Sequence, residues 1–166
     1  MIVHVGEYDP DVVSAAIRLE VGRGGQVYYV SNRVKTIDDA VARVHEAAPE
    51  ARVGVAHGKM SPREVEDVMI EFATKKIDVL IATTIVESGI DVPNANTIIV
   101  DGAQNYGLSD LHQLRGRVGR GAAESWCFLV SDNQSENVQK RLKFLCSTTD
   151  GFAVAQYDLE TRGPGD

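Results

Sequence analysis

Short runs of apolar, β-branched residues alternate along this chain with longer amphipathic segments, and this alternation limits the possible folds more than any other feature. The runs are continuously apolar, which is typical of strands buried on both faces. We predict strands at residues 2–9, 26–31, 51–57, 77–84, 96–102 and 125–131. Because helical segments separate the strands, the pattern predicts an α/β fold, a mostly parallel sheet with helices on both faces.

The segments between the runs show the signatures of helix ends. We predict helices from residues 9–10 to about 22, and at 36–48, 61–76, 108–116 and 135–146, with a further helical stretch after residue 150. The third helix begins with a capping box, in which Ser61 is the N-cap and Glu64 reaches back to it. Residues 22–26 are rich in glycine but lack the Lys-Ser/Thr of a phosphate loop. They therefore predict a helix end and a turn.

Composition narrows the class of protein. The 166 residues, 43% apolar and 25% charged, suit one globular domain with a sizeable core. A net charge of −7 argues against a protein that coats nucleic acid, but a local phosphate site remains compatible with it because distant charges are screened. The absence of a long apolar run or a signal pattern predicts no membrane span and a cytoplasmic location. Cys127 and Cys146 are expected to be buried, reduced and apolar in character.

Unusual residues cluster where predicted strands end, which is where parallel sheets bind ligands. His57 and Gly58 follow one strand, and Thr83 and Thr84 end the next. Hydroxyl and backbone N–H groups there suit a phosphate. The alternative is purely structural, because His-Gly also forms turns and threonine favours strands. In the segment that follows these threonines, Gly89 allows a close backbone approach and Asp91 can accept a hydrogen bond from a ribose hydroxyl.

The stretch HQLRGRVGR concentrates arginine in an acidic chain. Gln113 is followed by Arg115, Arg117 and Arg120, with glycines between them. Planar guanidinium groups suit phosphate oxygens, although a solvated basic helix end would look similar. The chain contains no G-x-x-x-x-G-K-[ST] phosphate loop and no acidic pair that would hold magnesium, so no metal site is predicted. Arginines without a phosphate loop or a magnesium-binding acidic pair indicate that this chain supplies only one side of a phosphate-binding site.

Three segments together resemble the motor motifs of superfamily-two helicases. Residues 113–120 resemble motif VI, residues 82–100 resemble motif V, and residues 55–60 resemble the segment before motif V. The sequence LHQLRGRVGR resembles the corresponding motif in the RecG/Mfd branch of double-stranded DNA translocases. The resemblance implies a second RecA-like motor domain at residues 1–132. It also implies the start of a translocation motif, a helical hairpin, at residues 133–166, where the motif is cut short.

The resemblance implies roles for the nucleotide-site residues. Arg117 and Arg120 would reach the γ-phosphate of ATP, and Gln113 would couple the nucleotide to the site. Gly89 and Asp91 would lie at the nucleotide cleft. ATP and Mg²⁺ would be bound mainly by a first RecA-like domain of the same protein, which this chain lacks, so the chain alone is expected to hydrolyse no ATP.

The resemblance also implies the DNA-facing residues. Thr83 or Thr84 would contact the backbone of double-stranded DNA, and His57 and Gly58 would line the same side. Arg115 would be a DNA contact or a structural one. Arg141 and Arg162 match arginines of the translocation hairpin, which couples closure of the motor to a step along DNA.

The branch itself is ambiguous in this sequence. Residues 23–37 and 49–60 are more similar to the transcription-repair coupling factors, which reach RNA polymerase through other domains. Residues 148–166 are more similar to the RecG-type helicases that remodel forks, where Pro164 fits. The longer front match favours the first. A third hypothesis is a degenerate helicase fold that binds a protein partner. A stand-alone nucleotide-binding protein is a further alternative, and the missing phosphate loop argues against it.

Overall fold

The structure is a computed structural model built around one parallel sheet. It describes residues 2–31, 37–83, 95–116, 118, 124–132, 135–147 and 151–162. The predictions for Thr84, Gly89, Asp91, Arg117 and Arg120 lie outside these residues. The side chain of Arg162 also lies outside them.

Six strands form the sheet, in the spatial order β1-β6-β5-β2-β4-β3, and every described pair is parallel. The predicted parallel sheet is confirmed, with most strands shorter than predicted because their ends open into loops. The strands are β1 (Ile2–Gly6), β2 (Gln26–Ser31), β3 (Val53–Ala56), β4 (Val79–Ala82), β5 (Ala95–Asp101) and β6 (Trp126–Val130).

Within the described ranges, six α-helices connect and follow the strands, close to the predicted positions. They are α1 (Pro10–Gly22), α2 (Ile37–Ala47), α3 (Pro62–Ala73), α4 (Leu108–Arg115), α5 (Glu136–Ser147) and α6 (Gly151–Arg162). A 3₁₀ turn at Ala103–Asn105 leads from β5 into α4. Helices α5 and α6 follow the last strand consecutively, and the assignment of residues 133–166 to a translocation motif stays a prediction. None of the described helices is long and apolar enough to span a membrane.

The sheet is covered on both faces, as predicted. Helices α1 and α2 pack on one face, where Ile17 and Val44 meet Ile81. Helices α4, α5 and α6 pack on the other face, where Leu111 and Leu142 meet the neighbouring strands. Helix α3 also lies on this second face, because its residues pack on positions that alternate with those facing α1 and α2. Each helix therefore has a defined side of the sheet.

Local capping sets the helix ends. In α3, the Ser61 hydroxyl accepts from the Glu64 N–H at 3.2 Å, and the Glu64 carboxylate accepts from the Ser61 N–H at 3.1 Å. The predicted capping box is confirmed. After α1, the Arg23 N–H donates to the Leu19 carbonyl, and Gly24 has φ = +85°, which glycine adopts without strain. The predicted helix end and turn at residues 22–26 are confirmed.

The two cysteines differ in exposure. Cys127 is buried in β6, as predicted, and burial raises its pKa to about 12 even though the Arg115 guanidinium acts to lower it. Cys146 is exposed, so its predicted burial is wrong. Leu142 and Leu145 occupy the buried face of α5, and Cys146 follows at the rim of that face in the last turn.

Candidate functional site

The turn after β3 meets the end of β4 at the carboxyl edge of the sheet. The Thr83 hydroxyl accepts from the Gly58 N–H at 3.2 Å, and the Thr83 N–H donates to the Ala56 carbonyl at 3.2 Å. Thr83 is 3% exposed, and Gly58 is exposed. The structure thus brings together two residues that were predicted to face DNA. Their contact with DNA stays a prediction.

The turn at His57–Met60 is held by its own atoms. The His57 Nδ1 accepts from the Lys59 N–H at 3.2 Å. The Met60 N–H donates to the His57 carbonyl at 3.1 Å. The structural alternative for His57, a turn, is therefore present whether or not the residue also lines a DNA-facing surface.

Gly58 has free space beside it. A Cβ added at Gly58 would meet no atom of the described chain within 4 Å, whereas a Cβ at Gly54 in β3 would lie 2.3 Å from Ile77 Cδ1. An alanine at position 54 would therefore force Ile77 to shift, whereas an alanine at position 58 would meet no such clash. The open space beside Gly58 leaves room for a ligand to approach the backbone closely, while the Gly58 N–H itself is donated to Thr83.

Helix α4 exposes the side chain of Gln113 and buries that of Arg115. Leu108, Leu111 and Leu114 are buried along one side of the helix, and Gln113 is exposed. Helix α4 begins after β5 at the carboxyl edge and carries the chain back toward the start of β6. Gln113 is thus accessible to another domain, and its role at a nucleotide stays a prediction.

Arg115 lies inside the protein, with 6% of its surface exposed. Its Nη1 donates to the Leu145 carbonyl at 2.5 Å, and its Nη2 lies 2.9 Å from His112 Nδ1. Because a guanidinium cannot accept, the His112 nitrogen is the acceptor. This geometry gives Arg115 a structural contact, the second of its two predicted roles. Its role toward DNA stays a prediction.

Arg141 connects α5 to the turn that precedes α4. Its Nη1 donates to the Tyr106 carbonyl at 2.8 Å, and its Nη2 donates to the Gln104 carbonyl at 2.9 Å. The turn begins at Gly102, which has φ = +70°. The predicted coupling role of Arg141 is not tested by this contact, but the contact shows which segment the arginine holds.

A polar cluster at the carboxyl edge was not anticipated from the sequence. The Tyr29 hydroxyl and Arg43 Nη1 each donate to Asp101 Oδ2 at 2.8 Å, and the Arg43 guanidinium lies 4.5 Å from the centre of the Tyr8 ring. Burial, followed by the charge of Asp101, raises the pKa of Tyr29 above its ordinary value. The residues come from four different segments, so no local pattern in the sequence identifies them.

A second unanticipated feature lies at the amino edge. Glu20 in α1 is 1% exposed, and its carboxylate accepts from the Arg23 guanidinium at 2.7 Å and from the Thr97 hydroxyl at 2.6 Å. Beside this pair, a largely apolar groove of about 240 Å³ lies between α1 and β6, lined by Leu19, Trp126 and others. Both Glu20 oxygens are used internally, so the carboxylate stabilises the junction of α1 with β5.

The part of the chain that the structure describes contains no group of three or more His, Cys, Asp or Glu side chains that could hold a metal ion.

Comparison with known proteins gives consistent matches. The family model described as the helicase conserved C-terminal domain matches residues 10–122. The transcription-repair-coupling factor of Escherichia coli K12 is 48% identical over 98% of this chain, and the ATP-dependent DNA helicase RecG of Thermotoga maritima is 45% identical over 90% of it. This chain spans 15% and 20% of the lengths of those relatives.

Solved structures match in the same way. A structure of RecG bound to a three-way DNA junction superimposes with a TM-score of 0.84 at 40% identity, covering 99% of this chain and 23% of that one. The C-terminal domain of Saccharomyces cerevisiae Dbp5, at 17% identity and a TM-score of 0.64, covers 97% of this chain and 98% of that one and shares the fold alone. The predicted RecA-like fold and the helicase resemblance are confirmed.

Proposed function

The chain belongs to the family of the helicase conserved C-terminal domain, and from this premise we propose that it is the second motor domain of an ATP-dependent double-stranded DNA translocase. The observation that carries the proposal is the likeness to RecG bound to a DNA junction, which extends over 99% of this chain. The proposal covers the motor activity, and the rest of the protein supplies the other half of the nucleotide site.

In the proposed reaction, ATP and Mg²⁺ bind mainly to a first RecA-like domain. Arg117 and Arg120 then approach the γ-phosphate when the two domains close. Arginine fingers stabilise the charge that develops on the transferred phosphoryl group, and in other nucleotide hydrolases they contribute about 10³–10⁵ in rate. We assign Gln113, which is exposed on α4, to the coupling of the nucleotide to the site. Gly89 and Asp91 complete the proposed cleft, with Asp91 toward the ribose.

The proposed DNA contact is the turn after β3 together with the end of β4. Thr83, Thr84, His57 and Gly58 contribute to it. The open space beside Gly58 supports a close approach of a phosphate backbone, and the hydrogen bond from the Gly58 N–H to Thr83 holds the turn against the end of β4. Because the net charge is −7, such contacts must be local and sensitive to salt. Closing and opening of the two domains would move this contact along the duplex.

Two cellular roles fit the motor. The first is transcription-coupled repair, with RNA polymerase as a partner reached through other domains. It is supported by several transcription-repair-coupling factors that match 96–99% of this chain. Remodelling of forks is the second candidate, and the RecG structure supports it. A protein-binding module without catalysis is the remaining alternative.

The test compares the 166-residue chain alone with the full-length protein that contains it. We expect the full-length protein to hydrolyse ATP in a DNA-dependent way and to displace a third strand from a DNA triplex, and the chain alone to do neither. Robust ATP hydrolysis by the chain alone would contradict the half-site proposal. Absence of hydrolysis from the full-length protein would favour the protein-binding module.

The two cellular roles are separated by substrate. Release of a stalled RNA polymerase from its template identifies a transcription-repair role. Conversion of a model fork into a four-way junction identifies a fork-remodelling role. Running both assays on one preparation at the same salt concentration prevents a difference in DNA affinity from being mistaken for a difference in role.

A further inference from the structure

We propose that Arg115 is a positioning residue that joins α4 to α5, so that the end of α4 and helix α5 move as one body. This inference rests on the proposed motor function. It assigns Arg115 to the coupling of ATP hydrolysis with movement, not to contact with DNA.

The first argument is burial. Arg115 is 6% exposed, and Nη1 and Nη2 of its guanidinium each contact an acceptor inside the domain. A DNA phosphate would have to displace the Leu145 carbonyl or His112 and reach into the core between α4 and α5. A buried cation that lost these acceptors would be left without compensation for its desolvation.

The second argument is the position of the acceptor. Leu145 lies in the last turn of α5, where helix carbonyls have no partner further along the same helix. The negative end of the helix dipole also lies there and favours a cation. Arg115 therefore caps α5 from another helix, and Leu145 anchors the same turn through a fully buried side chain.

The third argument is what lies on each side of the contact. Arg115 is the last residue of α4, so the predicted arginine fingers follow it within five positions. Helix α5 leads into α6, and Phe144 stacks on Tyr157 across these two helices with ring centres 4.2 Å apart. Arg141 ties α5 to the turn before α4. The two arginines thus hold α5 near both ends of α4, and a shift at the end of α4 is passed to α5.

The experiment has two arms. In the first, hydrogen exchange is measured on the 166-residue chain. Arg115→Met is expected to accelerate exchange in the last turns of α4 and α5 by on the order of tenfold, because their cross-link is lost. In the second, the full-length protein is assayed for base pairs moved per ATP hydrolysed. Arg115→Met is expected to lower this ratio by on the order of tenfold.

Matched variants distinguish positioning from a merely structural role. Arg115→Lys retains a cation that can reach the Leu145 carbonyl and should restore much of the ratio. Arg18→Met removes an arginine whose ion pair with Glu50 is exposed and should change neither measurement. If Arg115→Met does not fold, the lysine variant still tests the proposal, because it loses the second contact to His112 and should show an intermediate ratio.

Several outcomes would overturn the proposal. An unchanged ratio in Arg115→Met, or a loss of affinity for duplex DNA with the ratio preserved, would remove the positioning role, and the second result would return Arg115 to DNA contact. Unchanged exchange in α5 would show that the contact does not hold the helix. If the unaltered full-length protein does not move along DNA, the motor function fails, and the coupling role fails with it even where the exchange result stands.

Discussion

The turn after β3 and the interface between α4 and α5 both carry residues predicted to serve DNA or nucleotide, but they are held in different ways. In the turn, the hydrogen bonds join residues two or three positions apart, except for the contact between Gly58 and Thr83. At the helix interface, Arg115 and Arg141 bind carbonyl groups 30 to 37 positions away. The turn is open and locally determined, whereas the interface is buried and cross-linked by charge. The difference suits a surface that meets a ligand and a joint that transmits force.

The largest expected effect falls just beyond α4, where catalysis is proposed. Arg120→Ala in the full-length protein should lower ATP hydrolysis by about 10³-fold or more, because the finger acts on the transition state. ATP binding should be largely retained, since the first domain holds most of the nucleotide. Steady-state hydrolysis and equilibrium binding of a fluorescent ATP analogue separate the two. Loss of ATP binding with normal turnover would contradict the assignment. Arg18→Ala serves as the control.

The next effect tests whether the helix interface is a rigid joint. Arg141→Met in the 166-residue chain should lower the free energy of unfolding by about 1.5–3 kcal/mol, the range for hydrogen bonds made by charged groups. Urea unfolding measures the loss. Arg18→Met removes only an exposed ion pair and should be close to neutral. Equal losses in the two variants would mean that the carbonyl contacts of Arg141 do not stabilise the joint.

The pair Gly54 and Gly58 tests the openness of the turn. Gly54→Ala should destabilise the chain by about 1–3 kcal/mol, because its Cβ would collide with buried Ile77. Gly58→Ala should leave stability within about 0.5 kcal/mol, because the space beside it is open.

The same pair separates stability from binding. In the full-length protein, Gly58→Ala should weaken binding of duplex DNA severalfold, measured by fluorescence anisotropy at fixed salt. An unstable Gly58→Ala protein would show that the turn is packed rather than open. Unchanged DNA affinity would show that the turn is not the contact.

The smallest expected effect concerns the cluster at Asp101. Tyr29→Phe removes one donor to Asp101 and should cost about 0.5–1.5 kcal/mol at pH 7. Because the pKa of Tyr29 is raised in the folded chain, its contribution is complete below the ordinary tyrosine pKa of about 10 and is lost as the pH rises above it. Urea unfolding at pH 8 and pH 11 should show a shallower alkaline loss in Tyr29→Phe. An equal loss in both proteins would contradict the assignment.

The elements of the fold were predictable because their causes are local. Continuous apolar runs gave the strands, the capping box at Ser61 placed the start of α3, and the glycines after α1 placed its end. Cys146 was misassigned for a reason that local pattern cannot reveal. Its exposure depends on how α5 sits against α4 and the sheet, with Leu142 and Leu145 taking the buried face.

The sequence by itself determined the α/β class, the parallel sheet and the helicase resemblance, since periodicity and motif spacing are properties of neighbouring residues. The tertiary structure alone decided which polar residues meet. It joined Tyr29, Arg43 and Asp101 across as many as 72 positions, and it placed Arg115 on the carbonyl of Leu145 rather than at the surface. Burial and hydrogen-bond partners depend on the packing of distant segments. HQLRGRVGR therefore indicated phosphate chemistry in the sequence, and the fold showed that its first arginine is buried and makes a structural contact.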